Sequence, residues 1–454
     1  MYFLYSFLLA AGVAVLLPRF LWDAARHGKY AAGLRERAGS LPGFDAEGRP
    51  VVWLHCVSVG ETQAARPLAR AILEEYPGHA LVVSTTTQTG QRVAREVFGH
   101  QAALVFYFPF DWAWSVRRAL AAVNPSAVLV METELWPRFF RECRRRGVPV
   151  ALVNGRISEK SFGRYSLIRF FTRKILADLS LAVMQTEEDA GRIRSLGLAP
   201  ERVRVSGNVK FDMEAAGGQT LTEELRRRFG FDDAGRPLVV AASTHAPEEA
   251  VVLEAFKRLA ASSGGARPRL LVAPRHPERF AEVASLLDSS GLTWACRSEA
   301  ARESDAGCDA VLLDSIGELR AVYPLADLVF VGGSIAPVGG HNVLEPALDA
   351  RCVVTGPHTS NFTAVVNALL KQGALVQLDA VGDGEMPDAL ASTFARLLKD
   401  DEERKTVGAR AREAVEQNRG ATARTVKMLA PILNEKSDGR SQLSVKGRTL
   451  TSDI

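Results

Sequence analysis

The chain is poor in cysteine, and the five it has, Cys56, Cys143, Cys296, Cys308 and Cys352, are far apart, odd in number and free of any C-x-x-C spacing. That excludes a disulfide framework and a zinc site and suits a reducing compartment. It has little excess charge: +4 over 454 residues, with no RNP, zinc-finger or basic-zipper pattern, so no nucleic acid is expected and any polyanion must be held locally. There is no G-x-x-x-x-G-K-[ST] and no Asp-x-Asp pair. A P-loop is therefore excluded, and a metal-bridged nucleotide diphosphate is not the natural expectation; no metal and no cofactor are expected. Long apolar runs are also scarce. The one candidate, "MYFLYSFLLAAGVAVLL", is uncharged but shorter than the roughly 20 residues of a comfortable membrane span. It has neither the basic start nor the small-residue cleavage site of a secretory signal. Arg19, Arg26, Lys29, Arg35 and Arg37 follow it. We read residues 1–22 as a retained membrane anchor whose trailing positive charges leave the rest of the chain in the cytoplasm; a buried amphiphilic helix of the first domain is the alternative.

What is present is a rhythm. "VVWLHCVSV" precedes the helix-like "GETQAARPLARAILEEY", "ALVVSTTT" precedes "QTGQRVAREVFG", and "SAVLVME" precedes "LWPRFFRECRRRG". Nearly continuous apolar strands alternating with helices indicate a parallel sheet covered on both faces. Residues 40–208 form one Rossmann-like unit. A linker over 209–222 breaks the rhythm, and a second Rossmann-like series runs over 223–425, with strands such as "RPLVVAAST", "RLLVAPR" and "DLVFVGGS". A helix is expected across "DDEERKTVGARAREAVEQNRGATARTVKMLAPILNE", and the polar tail 436–454 is expected to be disordered. The fold class is α/β, with two doubly wound halves and ligands expected beyond the carboxyl ends of the strands, where both halves contribute.

Polar residues cluster at those ends. The first half offers His55, Ser58 and Glu61, then Glu132 and Glu134 in "METELWPR". Glu61 reads equally as a catalytic base or as a first-turn glutamate complementing its helix dipole. The run "SEKSFGRYSLIRFFTRK" interleaves Lys160, Arg164, Arg169, Arg173 and Lys174 with Phe162, Tyr165, Phe170 and Phe171, which suits an anionic bilayer surface better than a plain solvated face. The second half offers Pro274, Arg275 and His276. It then offers Gly317 and Glu318 at a strand-to-helix junction, and the series Gly332, Gly333, Ser334, Gly339, Gly340, His341, Asn342 and Glu345. Arginine is suited to clamping a phosphate, a helix N-terminus to receiving one, and Glu345 to holding ribose hydroxyls. Glycine pairs there imply backbone that closely approaches a ligand.

Taken together, "SVGET", "METELWP", "GNVKFD", "STH..EE", "PRHPER", "D..GEL", "VFVGGS" and "GGHN.LEPA", in this order, resemble the 3-deoxy-D-manno-octulosonic acid (Kdo) transferase family, from the N-terminus to about residue 430. The resemblance implies a glycosyltransferase-B fold, CMP-Kdo as donor and a lipid A precursor as acceptor. It also implies inverting chemistry, and a place on the cytoplasmic face of the inner membrane in lipopolysaccharide biosynthesis. By position it makes Glu61 the proton acceptor. It places CMP on Pro274, Arg275, Ile316, Gly317, Glu318, Asn342, Val343, Leu344 and Glu345, with Lys210 an assisting donor-side group. Glu132 and Glu134 are then read as acceptor-side or structural residues, and Arg164, Arg169 and Arg173 of the basic-aromatic run as lipid-side. His55-Cys56-Val57 departs from the family's frequent His-Ala-Ala or His-Ala-Val, and Cys56 is expected to point into the sheet. A UDP-sugar glycolipid transferase, a nucleotide-sugar epimerase of the same architecture and a non-catalytic nucleotide sensor are the competing readings.

Overall fold

The computed structural model describes residues 33–212, 219–231, 235–262, 267–382 and 384–434, together with Tyr2, residues 5–7, residue 9 and residues 11 and 12. Most of the expected anchor, the middle of the expected linker and the tail 436–454 lie outside the described residues. Among the described residues no helix is long and apolar enough to cross a membrane. The chain divides into two units: residues 1–212 with 419–454, and residues 213–418.

Unit 1 is built on seven strands: β1 (Val51–Cys56), β2 (Ala80–Thr85), β3 (Ala102–Tyr107), β4 (Ala127–Met131), β5 (Val150–Gly155), β6 (Leu181–Met184) and β7 (Val203–Val205). They pair in parallel in the order β3-β2-β1-β4-β5-β6-β7. Every residue of β1 is buried, because helices cover both faces. Val51 and Trp53 point into one core with Phe106, Phe108 and Phe139, while Val52, Leu54 and Cys56 point into the other with Leu68 and Ile72, the period-two alternation of a strand. Cys56 thus faces the core, as expected of the departure at that position.

The second domain was expected to run to residue 425 and to end in one long helix. Instead two helices form, Asp401–Asn418 and Ala421–Asn434, and the second belongs to unit 1. Gly420 breaks the helix at φ 82°, a backbone that glycine adopts without strain. The carboxylate of Asp212 accepts from the amides of Gly420 and Thr422, satisfying the bare N–H groups of the new N-terminus. The helix then buries Val426, Leu429, Ile432 and Leu433 in the core beside Leu68 and Ile72.

Unit 2 carries β8 (Leu238–Thr244), β9 (Arg269–Pro274), β10 (Trp294–Cys296), β11 (Ala310–Leu312), β12 (Leu328–Val331), β13 (Cys352–Thr355) and β14 (Val376–Gln377). These too pair in parallel, in the order β10-β11-β9-β8-β12-β13-β14. In each sheet the strand order reverses once, between β1 and β4 and between β8 and β12, and the crevice at such a switch point is where open α/β sheets bind ligands.

Candidate active site

At the switch point of unit 1, β1 leads through Ser58 into the helix Val59–Glu75, and β4 leads into Glu132 and Glu134. Glu61 is nearly buried and reciprocally capped. Its amide donates to Ser58 Oγ at 3.3 Å, the Ser58 hydroxyl donates to Glu61 Oε1 at 2.9 Å, and the Val57 amide donates to Oε2 at 2.8 Å. These bonds favour the carboxylate, as the helix terminus does. Burial and then the nearby Glu132 outweigh them and raise the Glu61 pKa to about 7, with Glu134 adding in the same direction. The helix dipole that a first-turn glutamate complements does not set the charge of this residue; the partial desolvation does. A carboxylate poised near neutrality is matched to taking a proton from a hydroxyl. Burial, then Glu132, also raises Glu134. Glu132 sits at φ 53°, a left-handed backbone that is unfavourable for a residue with a Cβ and is found mostly at functional sites.

Lys210, expected on the donor side, has its Nζ 3.3 Å from Glu132 Oε1. The 3-10 turn that carries it is fixed within unit 1 by Asn154 Oδ1, which accepts from the Val209 amide. His55 is fully buried, stacked on Phe108 at 3.8 Å and pushed down to a pKa of about 3 by burial, so it is a neutral core residue.

Unit 2 organises its switch point around a residue to which the sequence reading gave no role. The buried carboxylate of Glu248 accepts from five backbone amides: His245 at 2.9 Å, Gly333 at 2.7 Å, Ser334 at 2.9 Å, Ile335 at 2.8 Å and Ala336 at 3.1 Å. The glycine loop was expected to present its backbone to a ligand, and in its first pair the amides are already occupied, that of Gly332 by the Ala242 carbonyl and that of Gly333 by Glu248. The glycines are needed for protein atoms instead. A Cβ at Gly332 would meet Glu248 Oε2 at 2.7 Å, and one at Gly333 would meet His341 Cδ2 at 2.8 Å. The Ser334 hydroxyl donates to the Val331 carbonyl and accepts from the Gly356 amide, which leaves it no part in ligand contact.

Of the expected donor-side residues, Pro274, Val343 and Leu344 are buried in the fold. Arg275 is exposed just beyond β9, and its guanidinium forms no ion pair among the described residues. Ile316 is 80% exposed, next to Gly317 at φ 87°. Glu318 is gripped by Arg297 at 2.7 and 3.2 Å and by the Ser315 hydroxyl at 2.7 Å. Burial pushes its pKa upward, but Arg297 and Ser315 hold it below the usual carboxylate value. Glu345 accepts from Asn342 Nδ2 at 3.1 Å and is raised by burial. The helices that follow, Leu319–Val322 and Leu344–Leu348, are single turns. Helix dipoles of that length contribute little, so the expected phosphate clamp rests on side chains.

Two doubly wound parallel units, one with a near-neutral carboxylate at its switch point and the other with an arginine beside its own that forms no ion pair among the described residues, define a glycosyltransferase-B-like α/β enzyme. Among solved structures, a glycosyltransferase from Rickettsia africae ESF-5 is similar with a TM-score of 0.52 at 12% identity, covering 86% of this chain and 100% of that one. UDP-GlcNAc 2-epimerase from Neisseria meningitidis is similar with a TM-score of 0.52 at 12% identity, covering 84% and 100%; both are likenesses of fold alone. A family model for 3-deoxy-D-manno-octulosonic-acid transferase (kdotransferase) matches residues 32–213. The 3-deoxy-D-manno-octulosonic acid transferase of Haemophilus influenzae is 32% identical over 405 residues, 89% of this chain and 92% of that one. The enzyme of the same name from Bordetella pertussis is 34% identical over 435 residues, 92% and 96% of the two chains. The chain belongs to the 3-deoxy-D-manno-octulosonic acid transferase family and is a transferase.

Proposed function

We propose that this protein moves Kdo from CMP-Kdo to a hydroxyl of a lipid A precursor, lipid IVA, with inversion at the anomeric carbon and Glu61 as general base. The observation that carries the reading is the buried carboxylate of Glu61 held near pKa 7 at the switch point of unit 1, in a chain of this family. The acceptor oxygen forms its bond to the anomeric carbon as the bond to the CMP phosphate breaks. Glu61 takes the hydroxyl proton, and the electron pair leaves with the phosphate. One base and one anion clamp suffice, with no second carboxylate acting as nucleophile. Arg275 is the clamp, Asn342 and Glu345 hold the nucleoside, and Lys210 keeps a positive charge beside Glu132 on the acceptor side. Incubating membranes and lipid A precursor with CMP-Kdo and the protein should add one or more Kdo masses to the lipid. Addition from a UDP-sugar but not from CMP-Kdo would favour the rival transferase. Arg275→Ala should weaken CMP binding and turnover together, by about tenfold or more; unchanged CMP affinity would remove the clamp.

The proposed place of work is the cytoplasmic face of the inner membrane. The basic-aromatic run forms two helices, Glu159–Leu167 and Arg169–Leu176, with Leu167 87% and Phe170 67% exposed at their junction. Arg164, Arg169, Arg173 and Lys174 are exposed beside them, while Phe162 and Tyr165 turn inward to pack on the core. Exposed apolar side chains ringed by cations fit an anionic bilayer. Near the start of the chain, the hydroxyls of Tyr2 and Tyr5 donate to Asp178 and Asp111 of unit 1, so the described start of the N-terminal run is docked on this domain and would hold it close to any membrane the run enters. Leu167→Asp with Phe170→Asp should reduce sedimentation with vesicles containing phosphatidylglycerol by about tenfold. Undiminished binding would take this surface out of the proposal.

A further inference from the structure

Unit 2 contains a pair of histidines that the chemistry above does not use. His245 follows β8 and His341 lies in the segment after β12, so the two meet at the switch point of the sheet. Their Nε2 atoms are 2.8 Å apart, their ring centroids 5.0 Å apart and their planes 7° from parallel. That is the geometry of two nearly coplanar rings meeting edge to edge, not of a face-to-face stack. At this separation one Nε2 carries a hydrogen and the other a lone pair, and the accepting ring, when neutral, carries its hydrogen on Nδ1. The site is therefore a couple with one internal proton and room for a second.

The groups around the couple decide its resting charge. Glu248, on the helix that follows β8, spends its carboxylate on loop amides. Glu249, beside it, is paired with Arg279 at 3.0 Å, and Arg279 also holds Glu282. Beyond β9 stand Arg275, within electrostatic reach of Glu345, and His276, whose ring lies 5.0 Å from that of His245 at 79°. Glu278, the other carboxylate in that segment, is 3.9 Å from His276 Nδ1. Among these carboxylates Glu249 alone favours a charged His245, and His276, Arg275 and Arg279 oppose it. Burial first, and then these neighbours, lower both histidines, His341 to about 3, so the empty couple is neutral near pH 7.

We propose that the His245–His341 couple, together with Arg275, seats the phosphodiester of the donor and takes up one proton from solvent when that anion binds. The proposal rests on the reading that unit 2 holds the donor. An anion placed against a neutral but protonatable pair stabilises its charged form, so the pair becomes a cation only in the complex. When the bond to the sugar breaks, the departing phosphate gains a negative charge, and the acquired proton is already there to oppose it. In the empty site, the same neutrality avoids the cost of a half-buried, unpaired imidazolium.

The test is calorimetry of the full-length protein in detergent with cytidine 5′-(methyl phosphate), a diester whose own charge does not change between pH 5.5 and pH 8. Titrations at about pH 6 in two buffers of different ionisation enthalpy read the proton count directly. We expect uptake of up to one proton, with affinity tightening by as much as about tenfold per unit as pH falls, since the complex binds more protons than its components. His245→Gln and His341→Gln, which keep a polar atom near Nε2 but do not titrate, should each abolish the uptake and weaken binding, while His276→Gln should retain it. Binding of the diester by the wild-type protein without proton uptake, or uptake lost only in His276→Gln, overturns the couple while leaving the donor site standing. No binding of the diester at all overturns the donor-site reading, and the couple with it.

Discussion

Replacing Glu61 by glutamine should lower the rate of transfer by about 10²–10⁴-fold, the usual contribution of a positioned base, while CMP affinity stays near that of the wild type. Glutamine is a fair substitute for the structural half of this residue, since it can still accept from the Val57 amide as the distal member of a capping box. Only the proton-accepting half is lost. The sign of the pH dependence follows from the raised pKa of about 7: below it the carboxyl is protonated and idle, so wild-type kcat should fall by about tenfold per unit as pH drops beneath 7 and level off above it. Measuring kcat and CMP binding for both proteins between pH 5.5 and 8.5 checks every part. A kcat profile with no inflection near 7, or a parallel loss of CMP binding in the variant, would mean that Glu61 is a cap and nothing more.

The second large effect belongs to Glu248. Its carboxylate gathers five amides in the interior of unit 2, and glutamine would set an NH₂ against N–H donors that have no other partner. Losing hydrogen bonds to a charged group and leaving buried donors unmet costs about 3 kcal/mol or more, so Glu248→Gln should lower the stability of unit 2 by that order in urea titrations. Because the same carboxylate positions the His245 backbone and the segment leading to His341, donor affinity should fall as well. A stability change under about 1 kcal/mol with normal CMP binding would show that other contacts hold the loop.

The sequence carried the strands, their parallel pairing and the likeness to the family well, because these are written in short, local patterns: fully apolar runs such as Val51–Cys56, followed by a cap such as Ser58 and a helix. It also carried the position of Glu61 in the first turn of the helix after β1. Properties that depend on residues distant in the chain were not legible. The charge state of Glu61 is set by burial and by Glu132, which arrives on another strand. The role of the glycines at 332 and 333 depends on Glu248 and His341, so glycine-rich loop chemistry read from the sequence assigned their amides to a ligand when the protein's own acceptors already had them. "STH..EE" was visible as a motif, but its two working members, His245 and Glu248, acquire meaning only when β8 and β12 become neighbours. The contact of Lys210 with Glu132 joins residues 78 positions apart and was likewise not legible. The boundary at 425 failed for a similar reason: the long polar-apolar pattern after residue 400 looks like one helix until Asp212 caps its second half.

That capped helix also changes how the two halves depend on the order of the gene. Unit 2 is one unbroken stretch, residues 213–418, set inside unit 1. A premature stop codon just after position 418 would spare every residue of the half to which we assign the donor. It would nevertheless strip Val426, Leu429, Ile432 and Leu433 from the core beneath the Glu61 helix, side chains worth roughly 1.5–3 kcal/mol each when fully buried. Late truncations of the reading frame would therefore damage the domain that is translated first.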